Sequence, residues 1–349
     1  MRRIAVFGAG LAGISFIKTF RKGSTAADII LVDPKDYVEI PFAMPRALVA
    51  PEALGPSPRR PITEMLDVEH RQAKLAELRA DSALLDDGGE LRFDTAVLAT
   101  GSTIRGFGNL KVAETRSLDE RTREWQAEHD RLVDAGSVVV IGGGPIGVEL
   151  ASEIGYTFPD KQLTLIHATD RLLPALGEGV GKKARRVLEE MGARVVLGHR
   201  AEVAEDGRSV TLDDGEAIEA DLVYTATGIA LDTSYMTAHF AGALDDRGRI
   251  RVDQYLRVVG HEHIYAVGDI NDVPGIKLGA FAGQQGDRAA GNVAAALSGG
   301  SMKLFKGTTR AVGLVTLGQK AGVFKAPIGR FDPMHRMKQR DFFVPRYLG

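Results

Sequence analysis

One arrangement of residues occurs twice in this chain, and it leaves few folds open. Arg3-Ile4-Ala5-Val6-Phe7 is a short β-branched and apolar run of the kind buried in parallel sheets. Gly8-Ala9-Gly10-Leu11-Ala12-Gly13 follows, then a helix-like stretch from Ile14 to Phe20, then a second apolar run from Asp28 that ends in Asp33. Further along, Ser137 to Ile141 leads into Gly142-Gly143-Gly144-Pro145-Ile146-Gly147, a helix-like stretch from Val148 to Gly155, and the run Leu163 to His167. In both copies the closing residue, Asp33 or His167, stands 20 positions after the last glycine. That spacing brings the end of a second parallel strand beside the first turn.

Each part of the unit has a physical task. Gly8 and Gly142 permit a tight turn, Gly10 and Gly144 let the backbone approach a pyrophosphate, and Gly13 and Gly147 let helix and strand pack closely. Leu11 and Ala12, like Pro145 and Ile146, open helices whose unpaired N–H donors and partial positive charge suit phosphates. Asp33 can accept from ribose hydroxyls. A lone glycine motif is often only a glycine-rich turn; two, each with strand, helix and second strand in register, imply two dinucleotides. That is the arrangement of a reductase passing electrons from NADH or NADPH to FAD. The second copy has His167 where the acid would stand, with Arg171 four positions on. An acid there would hold the 2′-hydroxyl of NAD and repel a 2′-phosphate, so NADPH should be tolerated alongside NADH; the plainer reading is that His167 only caps a strand.

Composition removes other chemistries. The chain has no cysteine, so it can build no disulfide, thiolate zinc site, iron–sulfur cluster or redox thiol pair. If the chain handles electrons, a bound organic cofactor must carry them, and no metal site is expected. With 349 residues, 44% hydrophobic and 26% charged, the chain suits two or three soluble domains. No apolar run approaches the roughly 18–20 residues of a membrane span. Met1-Arg2-Arg3 runs straight into a strand, leaving no room for a signal peptide, and Arg2 excludes N-myristoylation, so the cytoplasm is the expected location.

Charge is uneven. Residues 301–349 carry ten Lys or Arg against Asp332 and Asp341, although the net charge of the whole chain is −2. This is either a solvated basic end or a surface, including Arg336, Lys338 and Arg340, that meets anionic lipid headgroups or an acidic partner. Nothing in the segment matches a nucleic-acid-binding motif.

Four further motifs complete a recognisable order: Thr95-Ala96-Val97-Leu98-Ala99-Thr100-Gly101, Tyr224-Thr225-Ala226-Thr227-Gly228, Ile264-Tyr265-Ala266-Val267-Gly268-Asp269 and Ala280-Phe281-Ala282-Gly283-Gln284-Gln285-Gly286. The order resembles the two-dinucleotide flavoprotein reductases of the pyridine nucleotide–disulfide reductase superfamily. Tyr37 to Val49, Gly147 to Ile154, Leu165 to His167 and Lys338 to Val344 bring it nearest to the apoptosis-inducing-factor-like, ferroptosis-suppressor type of NAD(P)H:quinone oxidoreductase, and more distantly to type II NADH dehydrogenases. The resemblance implies that Asp269 binds the ribitol and phosphate region of FAD. It also implies that Thr100 and Gly101 close the first FAD segment, and that Gly228 closes the nicotinamide domain. Arg46 would contact FAD, Leu75 would meet the adenine through its backbone, and Lys277 would approach the isoalloxazine. Glu149 would sit where the nicotinamide stacks on the flavin. Independently, an acid so near a dinucleotide loop is oddly placed unless it serves another part of the ligand or complements the helix dipole.

The expected fold is α/β, with two Rossmann-like dinucleotide domains and a small C-terminal α+β block. Residues 1–110 and 232–298 form the FAD domain, 111–231 the inserted NAD(P)H domain, and 299–349 the block on the acceptor side. Segment 118–134 is expected to be a surface helix with Trp125 and Leu132 packed inward. By resemblance the block covers the flavin and shapes a channel for a quinone, with Phe305, Phe324, Phe331, Phe342, Phe343 and Tyr347 as candidate walls; the plainer reading is that these aromatics are core. Peripheral membrane contact through the basic residues goes with the quinone reading, without a lipid anchor or long amphipathic helices. Two rivals stay open at this point: a reductase of a small redox protein such as ferredoxin, and a redox-gated interaction protein. No oligomeric state is implied.

Overall fold

A computed structural model describes residues 1–104, 115–275, 279–307, 313–325 and 338–349. The first glycine unit begins a five-stranded parallel sheet. Arg3–Phe7 lies between Asp28–Val32 and Thr95–Leu98, with Glu69–Arg71 and Ile264–Ala266 outside them. Alternate residues enter two different cores. Ile4, Val6, Leu31 and Val97 face the helices Leu11–Lys22 and Gly279–Ser298, whereas Ala5, Phe7, Ile30, Val32, Ala96 and Leu98 pack with a three-stranded antiparallel sheet, Leu75–Leu78, Ser82–Leu85 and Glu90–Arg92. A sheet covered on both faces has no polar face to show, which is why its strands read as unbroken apolar runs.

The second unit repeats this layering. Ser137–Ile141 lies between Gln162–His167 and Leu222–Thr225, and Arg194–Leu197 completes four parallel strands. Val138, Val140, Leu163 and Leu165 pack against helices that include Pro145–Thr157 and Glu178–Glu190; Val139, Ile141 and Ile166 pack on another three-stranded sheet, Ala201–Val203, Ser209–Leu212 and Ala217–Glu219. The chain leaves the first unit and returns to it side by side, since Thr103–Ile104 pairs antiparallel with Ile229–Ala230. Helix Leu118–Asp134 buries Trp125 and Leu132 as its periodicity suggests.

Past helix Gly279–Ser298, Gly299 turns with φ +70° into the C-terminal block. Its hairpin, Gly313–Leu317 with Ala321–Lys325, puts Val315, Leu317 and Val323 into the core of the second unit. Its end does the opposite: Phe342, Val344 and Leu348 enter the core of the first. The block therefore spans both units. The closing helix Val344–Leu348 is held on the first by Lys18, whose Nζ donates to the carbonyls of Tyr347 (3.1 Å) and Gly349 (3.0 Å), and by Arg60, which donates to Leu348 (2.6 Å).

Candidate active site

The two glycine loops have the same geometry. Gly8 and Gly142 take φ of +111° and +123°, where a side chain is strained, and any Cβ there would meet the carbonyl of Ala99 or Ala226. A Cβ on Gly13 would fall onto the carbonyl of Gly8, and one on Gly147 onto that of Gly142. Between them, Gly10 (φ −74°, ψ 179°) and Gly144 (φ −75°, ψ 179°) cap their helices with no side-chain hydrogen bond. The first-turn N–H groups are thus left to a ligand, and the space beside Gly144 is open. Both cradles fit a pyrophosphate.

The strand-end residues differ. Asp33 is buried; its Oδ2 accepts from the N–H of Ala9 at 2.6 Å and its Oδ1 from that of Lys35 at 2.9 Å, so it braces the loop that it borders. His167 instead lays its ring against Gly143, where an added Cβ would come within 2.7 Å of it. Burial lowers the pKa of His167, and its buried Nε2 has no hydrogen-bond partner. Arg171 is paired with its neighbour: its Nε and Nη2 donate to the two carboxylate oxygens of Asp170 at 2.9 and 3.0 Å.

Around the first loop, Asp269 accepts from the hydroxyl of Ser102 at 2.8 Å, and Thr100 shares a 2.9 Å hydrogen bond with the buried Tyr235. Gln285 Oε1 accepts from the N–H of Gly268 (2.8 Å) and from Asn271 Nδ2 (2.6 Å), tying the turn that carries Asp269 to helix Gly279–Ser298. Gly101 and Gly228 turn with φ +66° and +127°. Leu75 pairs with Leu85 at the edge of a β-bulge, its side chain in the core. Lys277 lies outside the described residues.

The most unusual chemistry lies where the units and the block meet. Helix Pro145–Thr157 is apolar apart from Glu149, Ser152 and Glu153 on its buried side, and the two acids stand one turn apart. Each finds a cation from elsewhere in the chain. Glu149 Oε1 accepts from the N–H (2.8 Å) and hydroxyl (3.1 Å) of Thr316 and pairs with Lys338. Glu153 takes both Nε (2.6 Å) and Nη2 (2.7 Å) of Arg46 in a buried bidentate pair. Phe342 packs across both cations, 5.0 Å from the Arg46 guanidinium and 5.6 Å from the Lys338 ammonium, and the Phe42 ring lies 5.9 Å from the same ammonium. Burial, opposed by Arg46, raises the pKa of Glu153.

These positions bear on several expectations. Arg46 presents two of its nitrogens to Glu153, on the other dinucleotide unit. Lys338 is 6% exposed and belongs to the interior rather than to a basic surface. Phe342, 1% exposed, follows the core reading; Phe343 and Tyr347 are half-buried, and Phe331 and Arg336 lie outside the described residues. Thr316 and Glu153 were not legible as site residues. The available signal was the spacing of Glu149 and Glu153, since two acids four apart on an apolar helix need buried cations.

Two dinucleotide cradles on parallel sheets, joined through a buried array of charge, define an oxidoreductase of the two-dinucleotide type. Residues 2–286 match the pyridine nucleotide-disulphide oxidoreductase family, and the chain belongs to it; its cofactors are FAD and a nicotinamide dinucleotide. The chain is 29% identical over 362 residues to ferroptosis suppressor protein 1 of Xenopus tropicalis, covering 99% of this chain and 94% of that one. With its Homo sapiens counterpart it shares 30% over 285 residues, 77% of this chain and 74% of that one. Among solved structures it is similar to an NAD-dependent persulfide reductase from A. fulgidus, with a TM-score of 0.74 and 23% identity over 90% of this chain; it spans 62% of that longer chain. The disulphide of the family name has no counterpart in a sequence without cysteine.

Proposed function

We propose that this chain is an NAD(P)H:quinone oxidoreductase, with FAD on the first glycine loop and the nicotinamide dinucleotide on the second. The bound flavin would accept hydride from the nicotinamide and pass electrons on. The residues described here orient and insulate. The uncapped helix N-termini hold the phosphates, and the buried Glu149–Lys338 pair fastens the nicotinamide-side helix to the C-terminal segment. Orientation of this kind supplies much of the rate in hydride transfer.

The observation that carries the reading is that pair. It sets a carboxylate and an ammonium, both buried, beside Phe42, and the half-buried Phe42 and Tyr347, edge to face at 5.8 Å, offer the aromatic surface that suits a planar acceptor. Peripheral membrane contact belongs to the same proposal. Lys303, Lys306, Lys320 and Lys325 are exposed, with Leu304 42% exposed between the first two, and each cation near an anionic surface contributes about 1 kcal/mol. No helix among the described residues is long and apolar enough to cross a membrane.

The test is an acceptor panel on protein reduced anaerobically with NADH. Ubiquinone or menaquinone analogues should reoxidise the flavin faster than ferredoxin or oxygen. Rapid reoxidation by ferredoxin with slow reaction of every quinone would replace the proposal with the redox-protein alternative.

A further inference from the structure

The second dinucleotide loop lacks an acid at its strand end, yet an acid stands close by. Strand Gln162–His167 ends with the His167 ring against Gly143, and the side chain of Leu172 reaches the same glycine, where an added Cβ would lie 2.6 Å from it. Leu173, in the left-handed region at φ +50°, donates its N–H to the carbonyl of Gly143 at 2.8 Å. Residues 168–171 therefore form a short loop that leaves the glycine loop and returns to it, and Asp170 and Arg171 stand at its rim. This is the place that an adenosine ribose takes beside a dinucleotide loop.

We propose that Asp170 makes this site select NADH over NADPH, by occupying the edge of Arg171 that would receive a 2′-phosphate. The proposal rests on the reading that the second loop holds the nicotinamide dinucleotide. A guanidinium recognises a phosphate through paired N–H groups, and the pair formed by Nε and Nη2 of Arg171 is taken up by Asp170. An exposed pair between neighbours is weak, so Arg171 could be drawn from it. The obstacle is the carboxylate, which would be left unpaired beside the phosphate's negative charge. Besides Asp170, the charged group that acts on Arg171 is another acid, Glu178. Glu178, close enough to act on Arg171, is itself paired with Lys182 at 2.6 Å, so acids and bases balance along the rim. His167 has an apolar setting that disfavours its charged form. A ribose 2′-hydroxyl needs only an acceptor, and Asp170 is one.

The test uses the full FAD-loaded chain and two probes, ADP-ribose and 2′-phospho-ADP-ribose, titrated calorimetrically. The wild type should bind ADP-ribose at least tenfold more tightly than its 2′-phosphorylated form. Asp170→Asn should narrow that ratio about tenfold by strengthening the phosphorylated probe, and Arg171→Ala in the same background should abolish the gain. Rates of flavin reduction by NADH and NADPH should follow the same order. Equal binding of both probes to the wild type, or an unchanged ratio in Asp170→Asn, would overturn the selectivity while leaving the placement of the dinucleotide intact. If neither probe binds and neither nicotinamide reduces the flavin, the assignment of the second loop fails and takes this inference with it.

Discussion

Glu149 and Lys338 stand 189 residues apart in the chain and meet as a buried ion pair, with Thr316 donating twice to the same carboxylate oxygen. The acid lies one turn into the helix that opens at the second glycine loop, and the base lies in the last described segment. The second glycine-loop unit and the last described segment are thus fastened together. The block expected to serve only the acceptor also holds the acid expected beside the nicotinamide.

Removing one partner of a buried pair leaves a charge uncompensated, at about 3–5 kcal/mol. Lys338→Met should therefore lower the urea midpoint clearly, and Glu149→Gln together with Lys338→Met should recover most of the loss. Stopped-flow reduction by NADH should remain slow in the double variant while FAD content stays stoichiometric. Wild-type reduction rates there would return Glu149 to a structural role.

The glycine loops permit each cofactor to be removed separately. Gly13→Ala drives a methyl group onto the carbonyl of Gly8 and should yield protein with little FAD, seen as lost flavin absorbance. Gly147→Ala does the same to the other loop. It should stay yellow and fail to be reduced by NADH. Colourless protein from Gly147→Ala and yellow protein from Gly13→Ala would reverse the assignment of the two loops.

Glu39 gives a pH signature. Burial opposes its ionisation, but Arg121 and Arg59 overcome this and hold its pKa below the ordinary 4.5. Arg59 donates to it at 2.6 Å and Arg121 at 3.2 Å, and both guanidiniums stack on Trp125. A depressed folded-state pKa contributes stability above pH 4.5 that is lost as pH falls through the folded value. Glu39→Gln should lower the urea midpoint at pH 7, and its deficit should shrink at pH 4. A deficit equal at both pH values would show that Glu39 titrates normally.

Phe342 and Phe343 adjoin in sequence but differ in setting. Phe342 is core, and its change to Ala should cost about 3–5 kcal/mol. Phe343 is half-buried, so Phe343→Ala should fold normally. If the acceptor reaches the flavin past this side chain, the KM for a quinone should rise severalfold while the rate of reduction by NADH is unchanged. An unaltered KM would remove Phe343 from the acceptor path.

What was legible in the sequence was what is local. The strands, glycine turns and helix starts of both units follow from residues within about 30 positions of one another, as does the inward face carrying Trp125 and Leu132. The ionic junction was not legible, because Arg46 finds Glu153 across 107 residues and nothing near either names the other. For Lys338 the basic excess of the last residues misled for a related reason. Composition counts charges without direction, and Lys338 points inward. The pairing of Arg171 with Asp170 was not legible either, because the strand-end pattern stops at position 167 and the carboxylate comes three residues later.

Multidomain chains often lose their cores in separate steps when warmed. This one has a C-terminal block rooted in both units, and the Arg46–Glu153 and Glu149–Lys338 pairs cross the junctions, so neither core can come apart without stripping the other of partners. Heating should give one calorimetric endotherm rather than two. Because melting is shared, a dinucleotide bound at either loop should raise the melting temperature of the entire chain.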